Sequence, residues 1–155
     1  MVERADPAKT GVRAGRVVGV LTAGLAVAGA VSVRETYTAQ FAVLLDAVGA
    51  GGVPVAWLFW GNLALAVVAR YAICYVAGSL VGVVYDWLDR PSLAVLAVLV
   101  GVVGAVDGAL AALDTRSAAI GAGYLLAWLC YVPVFAWLFE DGEEPSGPQR
   151  LAEDH

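Results

Sequence analysis

The segment WLFWGNLALAVVARYAICYVAGSLVGVVYDW, residues 57–87, decides the fold. Between its aromatic ends, Trp57 to Trp60 and Tyr85 to Trp87, lie only apolar and small residues together with Asn62, Arg70 and Ser79. The run is long enough to cross a bilayer as a helix, and tryptophan and tyrosine suit the two membrane–water interfaces. Arg70 then stands at membrane depth. The other apolar segments read as helices that pack around this one and supply a counter-charge to it.

Composition points to the same class. A chain of 155 residues that is 61% hydrophobic and 15% charged, with a mean hydropathy of +0.78, has more apolar surface than one small soluble core can hide. Lipid has to cover the excess. The expected architecture is an all-α integral membrane bundle of four transmembrane helices, with a short interfacial or re-entrant helix between the first and second.

Its parts can be set out along the chain. Residues 1–16 are polar and positive and read as a cytoplasmic N-terminal segment. The membrane domain, 17–139, has spans at about 17–33, 61–85, 93–113 and 118–139. The short helix, about 37–48, carries Phe41, Leu44, Leu45 and Val48 at helical spacing and is closed by the glycines of 49–52. Pro133 marks a kink in the last span. Residues 140–155 form an acidic cytoplasmic tail with six acids against Arg150. Ala28, Gly29 and Ala30 also fit a signal-peptide cleavage site, whose use would leave a chain starting at Val31 with three spans.

Lysine and arginine set the orientation, because acids contribute little to this rule. Arg4, Lys9, Arg13, Arg16, Arg90 and Arg150 fall on one side and Arg34 and Arg116 on the other, so both termini are expected in the cytoplasm of a multi-pass cell-membrane protein. The net charge of −5 and the lack of a dense basic cluster argue against nucleic acid as a partner.

Lys9 is the single lysine, beside eight arginines and fourteen acids. This acidic, lysine-poor usage resembles that of proteins from salt-loving archaea. The order Thr22, Glu35-Thr36, Asp46 and the glycine cluster resembles small multi-pass membrane proteins of haloarchaea, in which Glu-x-Asn-Pro follows the first span. Here that position reads Glu35-Thr-Tyr-Thr38, without the Asn-Pro. The resemblance implies a membrane protein and no activity.

Two ionisable residues demand an account, since a charge deep in the bilayer costs about 2.5–3.5 kcal/mol on insertion scales. Counted from the outer helix ends, Arg70 lies about 12 Å deep and Asp107 about 9 Å deep. The two are candidates for an intramembrane ion pair, provided that a tight loop makes the second and third spans neighbours. Gly78 and Gly82, and Gly104 and Gly108, have the GxxxG spacing of close helix contacts. Because Arg70, Cys74 and Gly78 follow at four-residue steps, Arg70 sits on the edge of one such face.

Other chemistry has less support. His155, the only histidine, is the last residue, so Ser79 has no intramembrane base to activate it. Cys74 and Cys130 lie inside apolar runs, neither in a CxxC, and read as small core residues. Asp86 and Asp89 have a DxxD spacing that suits Mg²⁺ and a lipid diphosphate, yet two acids at the edge of an acidic protein read more simply as a solvated surface.

The expected role is therefore that of a non-enzymatic structural or accessory subunit of a membrane complex, without catalytic residues, metal or cofactor. Its partners are the lipid bilayer and either further copies of itself or another membrane protein. A small oligomeric transporter or channel using Arg70 and Asp107 is the first alternative, and a lipid-active enzyme using Asp86 and Asp89 the second.

Overall fold

The computed structural model describes residues 6–140, which form helices joined by turns. In chain order they are α1 (Pro7–Ser32), α2 (Arg34–Ala47), α3 (Val55–Trp87), α4 (Leu93–Thr115), α5 (Ala118–Leu129) and α6 (Tyr131–Glu140). Four stretches are long and apolar enough to cross a membrane: α1, α3, α4, and α5 with α6 taken together as Ala118–Phe139. Arg4 and the acidic segment beyond Glu140 lie outside the described residues.

The first helix is longer than its hydropathy suggests. The sequence places the first span at about 17–33 after a polar segment 1–16, whereas α1 begins at Pro7. Asp6 caps it, its side chain accepting from the backbone N–H of Ala8 at 3.0 Å, and Pro7 stands where a helix tolerates proline best. Lys9, Arg13 and Arg16 lower the hydropathy of these turns but lie on the exposed side, while Gly11, Ala14 and Gly15 face inward. The helix is held by that inner face.

The turns follow from local chemistry. At the end of α2, Gly49 has φ +68°, its N–H bonds the Asp46 carbonyl at 3.0 Å, and the Ala50 N–H bonds the Leu45 carbonyl at 2.8 Å. This is a Schellman closure on the first glycine of the cluster. The same closure ends α3, where Asp89 at φ 58° takes the glycine role and the Arg90 N–H reaches the Tyr85 carbonyl at 3.1 Å. Pro133 cannot offer an N–H to the Leu129 carbonyl, and the last span is interrupted at Cys130. Cys130 is exposed there, which corrects its reading as a core residue; only Cys74 is buried.

Packing pairs α3 chiefly with α1, and α4 with α5, while α3 and α4 touch much less. The two GxxxG faces therefore serve different partners. Gly78 and Gly82 lie against Gly11, Gly15 and the Pro7 carbonyl of α1, with backbones in contact. Gly104 and Gly108 lie against Trp128 and Gly121 of α5. A single core of Ala14, Val18, Leu96, Val100, Trp128, Tyr131 and Phe135 joins the two pairs. Tyr131 and Phe135 stack at 5.7 Å, and the Tyr131 hydroxyl donates to the Gly78 carbonyl at 2.8 Å.

Pro7 meets Gly82, and Tyr85 lies 6.1 Å from Phe139, so the first and last described residues are at one end of the bundle. Tags added at residues 1 and 155 should accordingly report from the same side of the membrane in a protease-protection assay. One protected and one cleaved tag would contradict this arrangement.

Candidate functional site

The site begins with Arg70, at the middle of α3. An arginine there needs an acceptor, and α4 presents Asp107 at the same level: Arg70 Nη1 donates to Asp107 Oδ1. The second carboxylate oxygen is also taken. Trp128 of α5 donates its indole N–H to Asp107 Oδ2 at 2.9 Å, and the Arg70 guanidinium carbon lies 4.5 Å from the centre of the Tyr124 ring. Three helices thus meet at one charge pair, joined by an ionic bond, a neutral donor and a cation–π contact.

The Arg70–Asp107 side chains lie close together although α3 and α4 have little backbone contact, because Gly104 and Gly108 draw α5 against α4 and so place Trp128 and Tyr124 beside the pair. Trp128 is 2% exposed, and a buried indole N–H has to find an acceptor. In the sequence, a tryptophan inside the last apolar span and away from its ends is only a weak pointer to Trp128, because its burial depends on how α5 packs on α4. Tyr124 carries no comparable signal.

Above the pair, toward the end of the bundle away from Pro7 and Phe139, lies a cavity of about 180 Å³. Its polar lining is Tyr37, Asn62, Arg70, Asp114, Thr115 and Tyr124; Asp107 does not line it. A second hollow, of about 280 Å³, shares Tyr37, Asp114 and Thr115 with the first and continues past Gln40 to Arg116. Burial, together with the Asp114 carboxylate beside it, raises the Tyr37 phenol above its ordinary value, so at neutral pH it is a protonated donor at the mouth.

Below the pair the structure is closed. Thr22 of α1 donates to the Val18 carbonyl at 2.9 Å and stands 3.3 Å from Cys74 Sγ, and the Gly15–Gly78 backbone contact follows. Among the described residues no buried side-chain nitrogen or oxygen lacks a hydrogen-bond partner. The cavity is thus a pocket open at one end with a guanidinium at its floor.

The other candidate residues lie apart from it. Asp86, in the last turn of α3, is 3.8 Å from the Arg90 side chain, and Asp89 forms the turn. Arg90 stacks on Phe139 at 5.2 Å, which ties this turn to the end of α6. Among the described residues no group of three or more His, Cys, Asp or Glu stands close enough to hold a metal ion. His155 lies outside the described residues.

The chain matches no protein family, no curated protein and no solved structure, so nothing in these comparisons supports the resemblance to haloarchaeal membrane proteins.

Proposed function

We propose that the chain is a non-enzymatic, multi-pass protein of the cell membrane that serves as a structural or accessory subunit of a membrane complex. The observation that supports this most is the state of the two intramembrane charges. Arg70 and Asp107 neutralise each other, Trp128 occupies the remaining carboxylate oxygen, and the pocket above them ends at closely packed backbone. A pair that cancels itself offers no net charge to a crossing ion, and its better-attested use is to hold packed elements in register.

In this reading both termini are cytoplasmic. Lys9, Arg13 and Arg90 lie toward the end of the bundle that holds Pro7 and Phe139, against Arg34 and Arg116 at the other. Helix α2 lies in the outer interface, where its exposed Val43 and Leu44, and Val48 just beyond its end, meet lipid and the Arg34 guanidinium rests 5.7 Å from the Phe59 ring. The pocket is the one feature that favours a small oligomeric transporter instead, since Arg70 is reachable from outside.

Purification from the native membrane in mild detergent separates the two. The accessory role predicts a second integral membrane protein at fixed stoichiometry and no solute flux from vesicles that hold the pure chain. Saturable flux that disappears in Arg70→Leu would overturn it in favour of transport.

A further inference from the structure

The longer α1 carries three cations into the membrane region, and one of them is deep. From Trp60 to Trp87 α3 rises about 40 Å, which matches the roughly 40–45 Å of a bilayer with its headgroup regions. The Arg16 guanidinium lies 5.6 Å from the Tyr75 ring, and Tyr75 stands about 18 Å along α3 from Trp87. Arg16 is therefore near the middle of the hydrocarbon layer. It is exposed, and the α3 side chains nearer the cytoplasmic end, Val76, Leu80 and Val83, are exposed and apolar, as lipid contact requires.

Among the described residues no carboxylate is within salt-bridge distance of Arg16 or Arg13, and Lys9 has only Asp6, at 3.9 Å. A charge at this depth needs a partner. A lipid headgroup is out of reach, because even a fully extended arginine side chain is much shorter than the roughly 18 Å to the level of Trp87, and the Arg16 guanidinium is held beside the Tyr75 ring. A second copy has nothing to offer either. Asp107, the described acid nearest this depth, is taken by Arg70 and Trp128, and Asp86 and Asp89 lie at the membrane edge.

The same side of α1 continues upward with Val20, Gly24 and Ala28, all exposed, and a Cβ added at Gly24 would meet nothing within 4 Å. A small-xxx-small surface above an uncompensated cation lets another helix approach closely. We infer that the outer stripe of α1, formed by Lys9, Arg13, Arg16, Val20, Gly24 and Ala28, docks a transmembrane helix of a different protein that carries a carboxylate near its midpoint. The inference rests on the accessory-subunit reading and names the chemistry of the partner: an acid opposite Arg16 and small or apolar residues opposite Gly24.

The probe is a Leu/Ala transmembrane peptide of about 23 residues with one central Asp, compared with the same peptide carrying Leu there. Association with the full-length chain is read by energy transfer in phosphatidylcholine vesicles. The wild type should bind the Asp peptide about tenfold more tightly than the Leu peptide. Arg16→Leu and Arg16→Gln should lose the preference while remaining monodisperse and helical, and Arg16→Lys should keep part of it; the Gln variant serves should the Leu variant fold poorly.

Equal binding of the two peptides by the wild type, or an undiminished preference in both neutral variants, would overturn the inference. So would a preference that vanishes when phosphatidylglycerol is added, which would assign Arg16 to lipid. A homodimer that Arg16→Gln dissolves would assign it to a second copy. If the peptide test fails while a membrane protein still co-purifies at fixed stoichiometry, the accessory role stands and only this face is lost.

Discussion

Arg70→Leu or Asp107→Leu alone should destabilise the bundle by about 3–5 kcal/mol, and the two together should restore much of that loss, because a lone buried charge costs more than an apolar pair. The structure makes the two single losses unequal. Arg70 lines the outer pocket, so a guanidinium left by Asp107→Leu can be hydrated there and still rest on Tyr124. Asp107 does not line the pocket, and after Arg70→Leu it keeps only the Trp128 N–H. Arg70→Leu should therefore be the more severe. Asp107→Asn should be milder than Asp107→Leu, since its amide oxygen still accepts from Trp128. Unfolding in mixed detergent–SDS micelles, followed by tryptophan fluorescence, measures all four variants. Strictly additive losses would mean that the two side chains do not interact.

The number of apolar helices was legible because hydropathy reports it directly: four runs, with turns rich in Gly, Pro and Asp between them. The start of α1 was not. Hydropathy averages around the helix, and Lys9, Arg13 and Arg16 hid the inner face that Gly11, Ala14 and Gly15 form against α3. Helix partners were hidden for a related reason. A GxxxG spacing shows that a backbone is exposed for contact but not to which neighbour, and the short loop after α3 favoured α4 where α1 is the main partner. At the site, the depths of Arg70 and Asp107 can be counted along their helices. The contributions of Tyr124 and Trp128 depend on how α5 turns about α4, which no count along one chain supplies. The pocket is further still from the sequence, since residues of five helices line it.

Gly78→Val should cost about 3 kcal/mol or more and remove most of the folded protein, the upper range for overpacking. A Cβ at Gly78 would stand 2.6 Å from the Gly15 Cα and 2.7 Å from the Gly11 carbonyl oxygen. Both are backbone atoms of a regular helix, so no rotamer change can yield; α1 and α3 must separate. Separation would also part Thr22 from Cys74, now 3.3 Å apart, and strain the Tyr131 bond to the Gly78 carbonyl. Gly61→Ala is the control. Its Cβ would meet nothing within 4 Å, and in a helix alanine is favoured over glycine by about 1 kcal/mol, so that variant should be as stable as the wild type or more so. The same unfolding assay decides, and a Gly78→Val chain as stable as Gly61→Ala would mean that α1 and α3 do not pack backbone to backbone. Gly104→Ala should fall between them for a reason that links packing to the charge pair. The neighbour of its Cβ, at 2.7 Å, is the Trp128 Cβ, which the α5 backbone holds in place, so α4 and α5 must shift apart slightly and draw the indole N–H away from Asp107.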